Sequence, residues 1–161
     1  MNLDFVRNDF RFNARTSAVI YNKDLSKVLL FNVEGRNFYM LPGGRIEELE
    51  ESIDTIKREI KEEIGCDVQE ASLFSIQENF WTRNDKKCHG IEFYYIIKPK
   101  QKLQMQDYEK IENDKGEEKL LEFKWATAEE LKDIDLRPVN IRDMLINEEY
   151  LKGLSHVVKR G

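Results

Sequence analysis

The chain has 161 residues, 40% of them hydrophobic and 35% charged, with only 8 glycines and 3 prolines. That excludes collagen-like, low-complexity and disulfide-dense architectures and suits one well-filled core. The net charge, 26 − 31 = −5, disfavours stable nucleic-acid or membrane-surface binding, which draws on a net basic face. No run approaches 18 apolar residues, and the start, MNLDFVRNDF, is charged where a signal peptide needs an apolar stretch. Cys66 and Cys88 show no CxxC or framework spacing. The expectation is a cytoplasmic protein with two reduced thiols.

Residues 10–22 read as a strand ending in Ala18, Val19, Ile20 and Tyr21. A turn at Asn22–Ser26 and a second strand, Lys27–Val33, complete an expected hairpin. A short strand, Phe38–Leu41, runs into Pro42-Gly43-Gly44, which should break it. Ile53, Ile56, Ile60 and Ile64 then recur at helical spacing, with Ser52 as the expected N-cap and Gly65 as the stop. Strands are expected at Ala71–Trp81 and Ile91–Lys98, an exposed loop from Gln104 to Glu117, and a strand at Lys119–Ala126. A short helix from Thr127 and a last helix near Val139–Asn147 follow. This order predicts one α+β domain, residues 1–161, with a mixed sheet between helices. Its core spans about residues 10–147, and 148–161 forms a tail or interface strip that includes Tyr150, Leu151, Val157 and Val158.

On the helix of residues 52–64 the isoleucines share a narrow arc, while Glu59, Glu62 and Glu63 cluster on another flank. Like charges three and four residues apart repel. Arg58, four residues before Glu62, can neutralise one of them and not three. Carboxylate oxygens concentrated on one rigid face suit Mg²⁺ or Mn²⁺; a solvated acidic face has the same spacing, so the spacing alone leaves both open.

The segment Gly44–Cys66, GRIEELEESIDTIKREIKEEIGC, resembles the Nudix box. Gly44, Glu50, Arg58, Glu59, Ile60, Glu62, Glu63 and Gly65 match its fixed positions in order, and Leu41-Pro42-Gly43 resembles the usual approach. Only Cys66 departs, standing where a larger aliphatic residue is usual, at a packing position. The resemblance implies an α/β/α sandwich with a mixed sheet and the box as loop–helix–loop. It also implies a metal-dependent hydrolase that cleaves a nucleoside diphosphate linked to another group, with a small-molecule nucleotide as its partner.

By that resemblance Glu59, Glu62 and Glu63 hold Mg²⁺ or Mn²⁺ together with the Gly44 carbonyl, and Arg58 and Glu50 complete the catalytic set, preferentially as a paired brace. Gly43, Gly44 and Arg45 lie where substrate would approach, with Trp81 as a base-stacking candidate beside Phe80, Tyr94 and Tyr95. The general base is Glu59, Glu62 or a glutamate outside the box: Glu109, Glu112 or Glu117. Arg83, Lys86 and Lys87 form a basic group that either holds phosphate or caps a hairpin, Trp125 reads as structural, and His89 and His156 read as bystanders. The window Phe80–Asn84 carries neither the proline nor the tyrosine that marks some subgroups, which leaves a nucleoside triphosphate or nucleotide-sugar-like substrate slightly favoured. A non-catalytic nucleotide sensor on the same fold is the alternative, and a homodimer remains open.

Overall fold

The computed structural model describes residues 1–114 and 116–161, with only the backbone of Asp114 and Tyr150; the Tyr150 side chain, part of the expected interface strip, lies outside the described residues. The strands are β1 (Asp4–Arg7), β2 (Phe10–Ile20), β3 (Lys27–Val33), β4 (Gly43–Arg45), β5 (Val68–Arg83), β6 (Lys86–Pro99), β7 (Tyr108–Asp114), β8 (Glu117–Thr127) and β9 (Ser155–Arg160). The helices are α1 (Ser52–Ile64), α2 (Ala128–Leu131) and α3 (Val139–Ile146), with a short 3₁₀ turn at Glu149–Lys152.

Two sheets make the central layer. One runs β1-β2-β6-β5-β9 with β4 attached to β2; the other runs β3-β8-β7. The β2–β6 and β5–β9 pairs are parallel and the remaining ladders antiparallel. The end of β2 (Ala18, Val19, Ile20) and β3 are apolar on both faces, so each serves two cores. One core joins Ala18, Ile20, Phe31 and Phe123 to Ile56 and Ile60 of α1. The other joins Val19, Leu30 and Tyr94 to Leu131 of α2 and Ile141 and Met144 of α3. The expected sandwich is therefore present, with α1 on one face and α2 and α3 on the other.

The expected hairpin is only a turn. After the single bridge Tyr21↔Val28, β2 and β3 separate into different sheets, because both of their faces must be covered. Phe38–Leu41 is not a strand: Met40 bridges Phe31 and Tyr39 bridges Leu136. The strand lies instead in the glycines, as β4, where a backbone without Cβ can lie flat against β2. Ser52 does not cap α1. Glu51 holds that position without a side-chain bond, and the Ser52 hydroxyl is 2.6 Å from that of Tyr95. Gly65 does end the helix, in left-handed conformation with φ 75°.

The stretch expected as a loop contains β7, whose Tyr108 stacks on Phe123 at 4.6 Å. Residues 155–160 are likewise a sheet strand rather than a free tail. Thr127 caps α2 through a capping box with Glu130. Trp125 is buried, and both cysteines are buried and unpaired. Among the described residues, no helix is long and apolar enough to cross a membrane.

Ile56 is completely buried between α1 and the sheet. Ile56→Ala should lower unfolding free energy by about 2–5 kcal/mol, seen as a lower urea midpoint; a midpoint unchanged from wild type would contradict this packing.

Candidate active site

Strand β4 is the pivot of the site. It pairs with β2 as Gly43↔Ser17, Gly44↔Thr16 and Arg45↔Arg15. Alternation along a strand sends Gly44 toward α1 and Arg45 to the opposite face. A Cβ on Gly44 would run into the Glu59 carboxyl, and one on Gly43 into the Thr16 carbonyl oxygen. Both glycines are needed for close approach rather than for flexibility.

Past β4 the chain is tied back to α1. Glu50 accepts hydrogen bonds from Arg58 Nε and Nη2, both at 2.9 Å, from Thr55 Oγ1 at 2.8 Å and from the Glu47 amide at 3.1 Å. The Arg58 guanidinium holds the Glu50 carboxyl down at about 2, and the Arg58 pKa is raised in turn. Both Glu50 oxygens are thus engaged, which is the brace expected from the sequence.

Arg58 also reaches into the acidic cluster. Its Nη1 is 2.9 Å from Glu59 Oε1 and 3.6 Å from Glu62 Oε2. Glu59 is largely buried at 15% side-chain exposure, whereas Glu62 is open at 59%. Burial pushes the Glu59 carboxyl up, partly offset by Arg58. Glu63 turns inward, its Oε2 accepting from the Gly43 amide at 3.2 Å. Burial, and after it the charge of Glu59, push Glu63 up to about 8.

The donor set for a cation is hard oxygen throughout, and the two inward carboxyls are under-compensated, so these residues fit a divalent ion. As they stand they are adjacent but not convergent: among the described residues, no three acidic, histidine or cysteine side chains gather on one point. The guanidinium between Glu59 and Glu62 is the positive charge they share.

Strand β7 closes over the end of α1. Lys110 Nζ donates to the carbonyl oxygens of Glu62 and Glu63, both at 2.8 Å, fixing the last turn of the helix. Two residues on, Glu112 is near enough for its charge to raise Glu63, and two residues back, burial and Glu63 hold the Tyr108 hydroxyl up at about 12. Of the outside glutamates, Glu112 therefore faces the cluster. Glu109 alternates to the other side of β7 and Glu117 is exposed at the start of β8.

The opposite face of β2 and β4 carries three arginines against two carboxylates, with Arg15 3.8 Å from Glu92. Arg45 lies 3.2 Å from Asp4, which also takes a bidentate pair from Arg11 at 2.8 and 2.7 Å. Arg15 lines a small cavity of about 80 Å³ with Ser17, Leu41, Glu92, Tyr94 and Arg137. Its charge also reaches Glu59 and Glu63 and lowers both. Trp81 sits on this face against Gly90, where a Cβ would press on the indole at 3.1 Å.

The other aromatic candidates are corrected. Tyr94 and Tyr95 are 1% and 5% exposed and belong to the two cores. Phe80 points to the face opposite Trp81, where it stacks on His89 at 4.3 Å. Arg83, Lys86 and Lys87 belong to the β5–β6 hairpin end. Lys87 is six residues along β6 from Phe93, the partner of Thr16, about 20 Å from Gly44 at strand spacing. His156 bonds Glu78 at 2.7 Å, away from the cluster. Arg15, Lys110 and Glu92 were not singled out from sequence, because what places them is pairing across the sheets and leaves no local spacing signal.

Comparison with known proteins gives the family and the fold. A model of the NUDIX domain matches residues 11–145. The chain belongs to the NUDIX family, a class of hydrolases. It is 33% identical over 104 residues to mRNA-decapping enzyme subunit 2 of Saccharomyces cerevisiae, an alignment covering 58% of this chain and 11% of that protein. It is 39% identical over 64 residues to the 8-oxo-dGDP phosphatase NUDT18 of Danio rerio, covering 38% of this chain and 19% of that protein. The chain thus spans a small part of these relatives. Among solved structures, a mutator MutT protein from Bacillus halodurans superposes with TM-score 0.67 at 20% identity, covering 92% of this chain and 89% of the other. A UDP-X diphosphatase superposes with TM-score 0.61 at 17% identity, covering 91% and 66%.

The raised Glu63 carboxyl makes a pH prediction. Unfolded, Glu63 titrates near 4.5, and folded near 8. Between these values the folded chain binds more protons, so this group's stabilising contribution falls as pH rises. Urea unfolding in chelator should show wild type losing stability from about pH 5 to 8 relative to Glu63→Gln; parallel profiles would contradict the assignment.

Proposed function

We propose that this chain is a Mg²⁺- or Mn²⁺-dependent pyrophosphohydrolase. Its substrate class is a nucleoside diphosphate linked to another group, of the nucleoside triphosphate or nucleotide-sugar type. The observation that carries the reading is the placement of Glu59 and Glu62 on Arg58 and of Glu63 on the Gly43 amide, with Glu59 directly against Gly44. The relatives' names point the same way: a decapping enzyme, an 8-oxo-dGDP phosphatase and a UDP-X diphosphatase all act on compounds containing a phosphoanhydride next to a nucleoside. Buried, unpaired Cys66 and Cys88 agree with a cytoplasmic setting.

Glu59, Glu62 and Glu63, with the Gly44 carbonyl, would hold the cation. When bound, it supplies positive charge that polarises phosphoryl oxygen and acidifies water. Arg58 and Glu50 keep the loop and helix in register, so that the carboxylates are held before substrate arrives. Arg15 and Arg45 offer guanidinium groups to phosphate at the β2–β4 seam. Across the sheet, the outer indole face of Trp81 is available to a base. The proton of the attacking water passes to a carboxylate oxygen of Glu59 or Glu62 on α1, or of Glu112 on β7. Gly43 and Gly44 let the diphosphate approach the main chain without a Cβ in the way.

The test is a phosphate-release screen over nucleoside triphosphates, oxidised nucleotides, nucleotide sugars, dinucleoside polyphosphates and capped RNA. Wild type should turn over at least one class, and Glu59→Gln and Glu62→Gln should lose roughly a hundredfold or more in kcat with unchanged thermal melting. Nucleotide binding without turnover would instead support a sensor on this fold. Full activity in both variants would remove the carboxylates from the mechanism.

Gly44→Ala makes a sharper test of geometry. The added methyl displaces the Glu59 carboxyl, so Mn²⁺ affinity measured by calorimetry should fall at least tenfold while the fold persists. Unchanged affinity would place the cation elsewhere.

A further inference from the structure

Beyond β4, toward the β5–β6 hairpin, the six-stranded sheet carries a feature that the proposed reaction does not use. One cross-strand row runs Phe5 on β1, Phe12 on β2, His89 on β6, Phe80 on β5 and Arg160 on β9, each directly paired with the next. The side chains touch along the whole row. Phe5 and Phe12 stack at 6.4 Å, Phe12 meets His89 edge-on at 5.4 Å, His89 stacks on Phe80 at 4.3 Å, and Arg160 lies 4.4 Å over Phe80. The next row outward is Arg7, Phe10, Lys87 and Thr82. This is the face that α1 covers farther along the strands, and the helix does not reach these rows.

The ring faces are used unequally. Phe80 and His89 are engaged with each other and with Arg160, so they form a floor. Phe5 and Phe10, at 50% and 42% exposure, keep ring surface open to solvent. Around them stand Arg7, Lys87 and Arg160, with Arg83 and Lys86 on the adjoining hairpin end, against Asp9 and Asp85 in the two turns and Glu78, which lies 4.0 Å from His89 and pairs with His156. The whole chain carries −5, yet this end is locally cationic. Open aromatic rings interleaved with separated cations match the alternating base and phosphate of a flexible polynucleotide. A second copy of the chain would bring the same positive charge against itself.

We infer that the aromatic–cationic rows of β1, β2, β6, β5 and β9 form a docking surface for single-stranded nucleic acid, with bases stacked on Phe5 and Phe10 and phosphates paired with Arg7, Lys87 and Arg160. Base stacking tolerates any sequence, and charge pairing makes binding salt-dependent. The surface is separate from the carboxylate cluster and does not depend on its chemistry.

The test is fluorescence anisotropy with labelled oligouridylate and oligothymidylate of about 12 nucleotides at low and high salt. Wild type should bind at least one of them, with affinity falling steeply as salt rises. Phe5→Ala and Phe10→Ala should each weaken binding roughly five- to a hundredfold, and Arg7→Glu with Arg160→Glu should flatten the salt slope. Melting temperature and turnover of any small nucleotide substrate should stay unchanged, which separates loss of docking from loss of fold or of catalysis. Oligodeoxyuridylate as a third probe isolates the 2′-hydroxyl, because oligouridylate and oligothymidylate also differ by the thymine methyl group. Absent binding, binding insensitive to these substitutions, or a wild-type dimer dispersed by Phe5→Ala would each overturn the proposal.

Discussion

One guanidinium organises the centre of this protein. Arg58 joins Glu50 in a two-point pair and extends a third nitrogen to Glu59 and Glu62. A helix bearing glutamates at 59, 62 and 63 has no reason to keep them together unless something positive sits among them. Arg58 does this from within the same turn, and Glu50 holds it in place. That division explains why acids at the two ends of α1 titrate so differently: Glu50 accepts four hydrogen bonds and its carboxyl is pushed down to about 2, while Glu63 meets one amide and two like charges and is pushed up to about 8.

The second constraint is the period of a strand. In three residues β4 presents Gly44 to the acidic helix and Arg45 to the arginine-lined face, and β2 does the same with Thr16 and Arg15. The acidic and the arginine-bearing halves thus meet at one seam without being layered on each other. Lys110 fixes the far end of the helix by its carbonyls, so the acidic turn is held at both ends by basic side chains that themselves come from different elements. A site that gathers repelling groups has to be restrained in this way, since the repulsion would otherwise open it.

Local patterns made α1 legible. The isoleucine period, the Gly65 stop and the Glu50–Arg58 pairing all act within 15 residues and survive in the structure. The failures share a cause, which is that tertiary pairing overrode local chemistry. Residues 108–114 are polar enough to read as a loop, but β8 offers them a ladder and Phe123 a ring to stack on. Tyr94 and Tyr95 carry hydroxyls that suggest a wet face, yet adjacent strand positions bury one ring in each core, with Tyr94 bonded to Glu92 and Tyr95 to Ser52. Residues 155–160 look like an end of the chain until β5 supplies a parallel edge. Of the candidate site, the acids and their brace were marked by the resemblance to the Nudix box, since spacing alone left a solvated acidic face open. The arginine face and Lys110 were not, because sheet register brings them together from distant segments.

The central claim is that burial, and after it the charge of Glu59, holds the Glu63 carboxyl above its ordinary range in the cluster proposed to take a cation. Mn²⁺ titration at pH 7 by calorimetry, in two buffers of different ionisation enthalpy, measures protons released on binding. The account predicts close to one proton released per protein in wild type and none in Glu63→Gln. Binding with no proton release in wild type, or equal release in the variant, would contradict it.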